Sequence, residues 1–396
     1  MRPAARSARS LRILVDGRVM QDRYHGIGRY TYELLRELSL RDVELVVLYS
    51  PNGGRLDVKE LITRRTVRAW PSRVPVVSLR SQWLLARAVL SAQPDVVFIP
   101  YHLSTPVLAG RTSVVALIHD CVFERDAAAS GPSAFSLAYR TATRLAISSA
   151  AALATPSQAA RRDIRRFYGA ALPDTAVLPH GVGAQFFALR GRPRPAGLGL
   201  PDRYILHVGV QRPHKNQRVL VAAMSALRAD HPGLGLVLVG QSDPRFPDEV
   251  GELVTALGVS DLVYRFPGLP DEALLDLYAN AAVFAYPSLV EGFGMPVLEA
   301  MAAGLAVVAS DAEAVQEVAA GGSLIVPARQ TAAWIQALDR VLTDPEIAQD
   351  LRERGQVVAA RHTWARSAER TLSLLAGAAR RGATGGTGGT GDESVA

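Results

Sequence analysis

Residues 287–304 read PSLVEGFGMPVLEAMAAG, and their two glutamates, two glycines and proline set how the surrounding chain folds. Glu291 and Glu299 stand eight residues apart, with Gly292, Phe293, Gly294, Met295 and Pro296 between them. Proline is favoured in the first turn of a helix, where its fixed φ fits and its missing N–H would have had no partner. The segment therefore predicts a tight loop over 292–294 that passes into a helix starting near Met295. Such a junction presents unpaired backbone N–H groups and the positive end of the helix dipole, which suits a phosphate. Glu291 falls before the helix and Glu299 roughly one turn inside it. A glycine-rich turn with two solvated glutamates fits the same spacing equally well.

The chain has 396 residues, more than one ordinary core encloses, so two domains are expected. Its hydrophobic content of 48% supports sizeable cores, and no apolar run reads as a membrane span. The N-terminus, MRPAARSARS, is basic and has no apolar signal region. The single cysteine, Cys121, forms no intrachain disulfide and no metal cluster, so a cytoplasmic protein is expected. Residues 1–185 carry 25 Lys+Arg against 14 Asp+Glu, and residues 186–396 carry 19 against 23. The basic first half fits an anionic membrane surface, a phosphorylated substrate or nucleic acid. Compositional bias is the competing explanation, because arginine outnumbers lysine 42 to 2.

Outward from the opening stretch, the chain alternates strands with helices in two series. Residues 11–15 (LRILV) read as a buried parallel strand. Gly26, Ile27, Gly28 and Arg29 then form a glycine loop ahead of a helix over TYELLRELSL, the opening of a phosphate-binding βα unit. The GxGxxG pattern is incomplete, and close strand–helix packing would also explain the glycines. Further strands are expected at 43–50, 94–100 and 113–120, with a helix at 81–90. The last strand ends in His119 and Asp120, where open α/β sheets bind ligands. Residues 133–150 and 157–168 read as helices, the second with Ser157 as N-cap. Its Arg161, Arg162, Arg165 and Arg166 form either a solvated face or a membrane- or phosphate-facing patch. No base-reading motif is present, so nucleic acid is not an expected partner.

Residues 185–201, rich in Pro, Gly and Arg, read as a linker at the point where the charge changes sign. The second series follows, with strands at 203–210, 233–240, 282–288 and 305–310 and a helix at 219–230. Arg212 and Lys215 stand three apart after the strand that ends near Gly209, a spacing that suits a diphosphate. Helices are expected at 331–342, 348–361 and 365–379, and the low-complexity residues 382–396 are expected to be disordered.

The combination GIGRY, IHD, HVGVQRPHKN and EGFGMPVLEAMAAG resembles the family 4 retaining glycosyltransferases over residues 11–376, and within them bacterial mannosyl- and rhamnosyltransferases. The resemblance implies the α/β GT-B fold, two Rossmann-like βαβ domains facing a central cleft. It implies an acceptor-side domain over 1–185, a linker over 186–202, a nucleotide-sugar domain over 203–360 and a helix at 361–380 that crosses back. Glu291 would contact the donor sugar and Glu299 the ribose. Backbone around Phe293, Gly294 and Met295 would meet sugar or phosphate, Leu269 would meet the base, and Gly209 and Gly292 would be among the donor-binding residues. Arg212 and Lys215 would bind the diphosphate, His119 would lie near the sugar, and Gly26–Gly28 would approach phosphate or acceptor. The implied reaction moves a hexose, with GDP-mannose favoured, to a glycan or lipid-linked acceptor in cell-surface polysaccharide synthesis. No metal or other cofactor is implied, and the enzyme would act in the cytoplasm or at the inner face of the membrane. The chain departs from the family pattern at His25 and in residues 311–318, which lack paired glycines. A sugar-nucleotide epimerase of the same architecture and a non-catalytic sugar-nucleotide-binding scaffold are the rival readings.

Overall fold

The computed structural model describes residues 10–21, 25–51, 56, 58–107, 109–125, 133–169, 172–195 and 197–384. The expected tail falls partly outside them, while Gly382 and the two residues after it continue the last helix, Trp364–Thr384.

Thirteen strands build two parallel sheets among the described residues. The first contains β1 (Leu11–Asp16), β2 (Val43–Tyr49), β3 (Val67–Pro71), β4 (Val96–Ile99), β5 (Ser113–Leu117), β6 (Ala152–Thr155) and β7 (Thr175–Val177), in the order β3-β2-β1-β4-β5-β6-β7. The second contains β8 (Arg203–Val208), β9 (Leu234–Val239), β10 (Val263–Phe266), β11 (Val283–Tyr286), β12 (Val307–Ser310) and β13 (Leu324–Val326), in the order β10-β9-β8-β11-β12-β13. Both sheets are doubly wound, with the order reversing between β1 and β4 and between β8 and β11. Ligands bind such sheets outside the carboxyl ends of the strands at that reversal. The two Rossmann-like halves expected from the sequence are therefore present.

The central strands are apolar on both faces, with β4, β5, β9 and β11 buried throughout, because helices cover both sides of each sheet. Strands β3, β6, β7, β10 and β13 carry no sequence signal strong enough to be expected. They have three to five residues each and are specified by parallel pairing to β2, β5, β6, β9 and β12.

One expectation needs correction. Gly26, Ile27, Gly28 and Arg29 are not a loop before the helix but its opening turns, since the helix spans His25–Leu38. Gly28 serves packing: a Cβ there would lie 2.6 Å from the Val19 carbonyl oxygen in the turn after β1. The helix can approach that turn only with glycine at this position.

The helix Trp364–Thr384 lies on the first sheet although it follows the second in sequence. Trp364, Ala368, Leu375 and Ala378 share a core with Ile13, Leu34, Val96 and Val115. No described helix is long and apolar enough to cross a membrane.

Candidate functional site

A cavity of about 580 Å³ opens between the halves at the carboxyl ends of both sheets. The first half contributes Gly26, Ile27, Arg29, His119, Asp120 and His180 to its lining. The second contributes Gly209, Lys215, Leu269, Glu291, Gly292, Phe293, Gly294, Met295 and Glu299. Two of the expected residues lie elsewhere. Gly28 is buried against the turn after β1, and Arg212 lines a separate cavity of about 300 Å³.

The donor-side loop is held from several directions. The chain passes from β11 through Glu291 to the helix Met295–Ala302, with Gly294 at the N-cap in the left-handed region, φ 114°. Gly292 approaches the first half so closely that a Cβ would lie 1.9 Å from the His119 carbonyl oxygen. Its own carbonyl accepts a 2.7 Å hydrogen bond from Ser157 Oγ, the hydroxyl that also caps the helix Gln158–Tyr168. Within the second half, Asn216 Nδ2 donates to the Pro287 and Ala328 carbonyls at 3.2 and 2.7 Å, and Leu289 N donates to the His214 carbonyl at 2.7 Å. The loops after β8 and β11 are thus one unit.

At the centre of that unit Lys215 Nζ meets Glu291 Oε1 at 2.5 Å, and Tyr286 Oη donates to the same oxygen at 2.8 Å. Burial opposes charge on Glu291, but the Lys215 ammonium and the hydrogen bonds outweigh it and hold the carboxyl below its usual range. Glu299 sits one helical turn further on. Its Oε1 meets Arg29 Nη1 at 3.1 Å across the cleft, and its Oε2 accepts from Tyr278 Oη at 3.0 Å. The Glu299 carboxylate in turn favours charge on Arg29 against the cost of burial. The guanidinium also lies over the Phe186 ring, 5.3 Å from its centroid.

Arg212, three residues from Lys215, has a different partner. Its Nε donates to Asp243 Oδ2 at 2.8 Å. Asp243 also receives three hydrogen bonds from Arg245, two from its guanidinium and one from its backbone N–H, and these, with Arg212, hold its carboxyl well below the usual range.

Opposite the donor loop, the first half presents His119, Asp120 and His180. His119 Nε2 lies 2.8 Å from the Pro100 carbonyl oxygen. A carbonyl only accepts, so Nε2 carries the proton and Nδ1 keeps its lone pair. Desolvation lowers the His119 pKa to about 4. Asp120 is shifted upward, first by burial and further by Glu291, although Val122 N donates to it at 3.1 Å.

His180 is a cavity residue that pattern reading does not single out. It follows β7 in a short LPHGV segment with no periodic or spacing signal. It is 5% exposed, and neither ring nitrogen has a partner. Its ring packs 4.5 Å from Tyr30 and 4.6 Å from Phe293, with His119 at 5.7 Å. A second contact between halves lies beside the cavity. Glu317 accepts from Gln158 N and Ala159 N at 2.8 and 2.9 Å, and Glu313 binds both Arg125 and Arg162. Arg162 is therefore engaged with the second half rather than standing in a free basic patch. Among the described residues, no group of three or more His, Cys, Asp or Glu could hold a metal ion.

Residues 24–186 match the family described as Glycosyltransferase Family 4, and residues 193–358 match Glycosyl transferases group 1. The MMP alpha-(1->4)-mannosyltransferase of Mycolicibacterium hassiacum is 33% identical over 228 residues, covering 56% of this chain and 53% of that protein. The chain spans about half the length of curated relatives such as this one. Among solved structures, sucrose-phosphate synthase from Thermosynechococcus elongatus superposes with a TM-score of 0.73 at 20% identity, covering 96% of this chain and all of that one. Anabaena Alr3699/HepE in complex with UDP and glucose does so with a TM-score of 0.71 at 20% identity, covering 93% and 100%. These likenesses establish the GT-B fold.

Proposed function

We propose that this chain, which belongs to the family 4 glycosyltransferases, transfers a hexose with retention from a nucleotide-diphosphate sugar to a glycan or lipid-linked acceptor. The observation that carries this reading is the Lys215–Glu291–Tyr286 cluster. It faces the cavity beside the N-terminus of the helix Met295–Ala302, at the reversal of the second sheet.

In this reading the amides at that helix start and the Lys215 ammonium stabilise the charge that builds on the leaving diphosphate. Arg212 joins them by leaving Asp243 when the donor binds. Glu291, kept ionised by Lys215, accepts hydrogen bonds from the sugar hydroxyls and orients the ring. Neutral His119 offers Nδ1 to a sugar hydroxyl from the opposite wall. Glu299 takes the ribose hydroxyls and shares its carboxylate with Arg29, while the backbone at Leu269 borders the base. Protein cations serve the diphosphate, so no metal ion is required.

GDP-mannose is the favoured donor, supported by the mannosyltransferase named among the relatives, and the setting is cell-surface polysaccharide synthesis at the cytoplasmic face of a membrane. The test is a screen of GDP-, UDP-, dTDP- and ADP-sugars by thermal shift and donor hydrolysis, with and without EDTA. GDP-mannose should give the largest shift and release GDP whether or not EDTA is present. A strict metal requirement would overturn the cation account. Tight binding without hydrolysis or transfer, or an epimerised sugar, would overturn the transferase reading.

A further inference from the structure

We propose that the helix Leu79–Ala92 is a docking face for an anionic lipid bilayer. The helix is capped by Ser78 and buries Leu85, Ala88, Val89 and Ala92 against Leu14, Val46, Val97 and Ile99. These buried positions follow helical spacing and use only one side. The opposite side exposes three large apolar residues: Leu79 at 86%, Trp83 at 74% and Leu90 at 79%. At about 100° per residue they fall within one narrow stripe, and the exposed Arg80 and Arg87 flank it on one side. The stripe runs for about 16 Å along the helix.

The surroundings extend the same chemistry. Val77, just before the cap, and Val107 are each about half exposed, and Val107 N donates to Gln82 Oε1 at 2.9 Å, which holds it beside the helix. Exposed Arg68 shares a face of β3 with Trp70, whose ring packs into the core that this helix covers. From residue 61 to residue 94 the chain carries six arginines and no Asp or Glu. Large apolar side chains including tryptophan, flanked by arginines in a stretch of chain without Asp or Glu, match the interfacial and electrostatic requirements of anionic lipid.

The placement bears on function. Arg18, just past the end of β1, donates to Ser81 Oγ at 2.7 Å and to the Val74 carbonyl at 3.1 Å. The first turn of the helix therefore sits at the carboxyl end of the sheet, the end that faces the cavity. A bilayer on this face would lie near the cleft mouth, where a lipid-linked acceptor would enter. Only this last step rests on the transferase reading; the docking face does not.

The test is flotation of the full chain with phosphatidylcholine vesicles, with and without phosphatidylglycerol, together with its sedimentation in the absence of lipid. Binding should require phosphatidylglycerol and fall steeply with salt. The triple variant L79S/W83S/L90S should lower vesicle partition by roughly a hundredfold, with melting temperature and donor hydrolysis unchanged. R80Q/R87Q should weaken binding chiefly at low salt. Wild-type binding that the triple variant does not reduce, or no binding to either vesicle, would overturn the proposal. So would a wild-type dimer that the triple variant converts to monomer without any effect of lipid, because the face would then belong to a second copy. Loss of transfer with vesicle binding intact would overturn the transferase reading alone.

Discussion

The two sheets share a strand order, and each half meets the cavity at corresponding strand ends, yet the two walls differ in kind. The second half presents paired charges: Lys215 on Glu291, with Tyr286 on the same carboxylate. The first half presents groups that burial keeps neutral, His119 with a pKa near 4 and His180 held well below the ordinary value. Arg29, paired across the cleft with Glu299, is a cation on this wall, and the buried Asp120 carboxyl, whose pKa burial raises, follows His119. One wall is centred on a paired ammonium and carboxylate, and the other on buried neutral imidazoles. One topology thus carries two chemistries, because the loops at the strand ends, not the strands, decide them.

The sharpest way to break this contrast is Glu291→Gln. It keeps the shape but removes the charge that holds Lys215, and kcat should fall by about 10²- to 10³-fold with little change in melting temperature. Unchanged turnover would remove the charged wall from the account. Lys215→Ala should cost about a hundredfold in kcat/KM, read as weakened handling of the diphosphate. Arg212→Ala should cost less, roughly tenfold, because Arg212 must first leave Asp243. A loss at Arg212 as large as that at Lys215 would mean the Asp243 pair does not compete with the donor.

The neutral wall can be tested in the opposite sense. His180→Phe preserves the packing against Tyr30 and Phe293 but removes two unpaired buried nitrogens, so melting temperature should rise while kcat/KM falls by roughly tenfold. Full activity would make His180 a packing residue only. His119 gives the smallest effect, in pH dependence. Its folded pKa lies below the ordinary 6.5, so between about 6.5 and 4 the unfolded chain binds more protons than the folded one. Stability should therefore decline as pH falls through that window, and His119→Phe should flatten the slope in urea titrations. An unchanged slope would assign the acid sensitivity to other buried histidines.

Much of the fold was legible because period and punctuation are local. Apolar runs bounded by glycine and proline marked β1, β2, β4, β5, β8, β9, β11 and β12, and Gly294 with Pro296 marked the helix start at Met295. The short strands were not legible, because three to five residues acquire strand identity only from a paired neighbour. In the site, the stretch around Glu291 could be read because its loop, cap and helix are contiguous. The two candidate basic faces show the limit of such reading. The arginines of Gln158–Tyr168 had helical spacing, but Arg162 is bound to Glu313 from the other half. The helix Leu79–Ala92 has a lower charge density, yet it leaves Trp83 and two leucines uncovered.

The sequence by itself determined that there are two βα series, that their charge differs, and that a glycine loop places two carboxylates at a helix start. Local propensity and spacing suffice for each of these. Only the tertiary structure decided that Lys215 faces Glu291 while Arg212 turns to Asp243, that Arg29 crosses to Glu299, and that His180 sits unpartnered at the junction of the halves. A charged side chain pairs with whichever opposite charge the fold brings within reach, and that partner lies tens to hundreds of residues away in the chain.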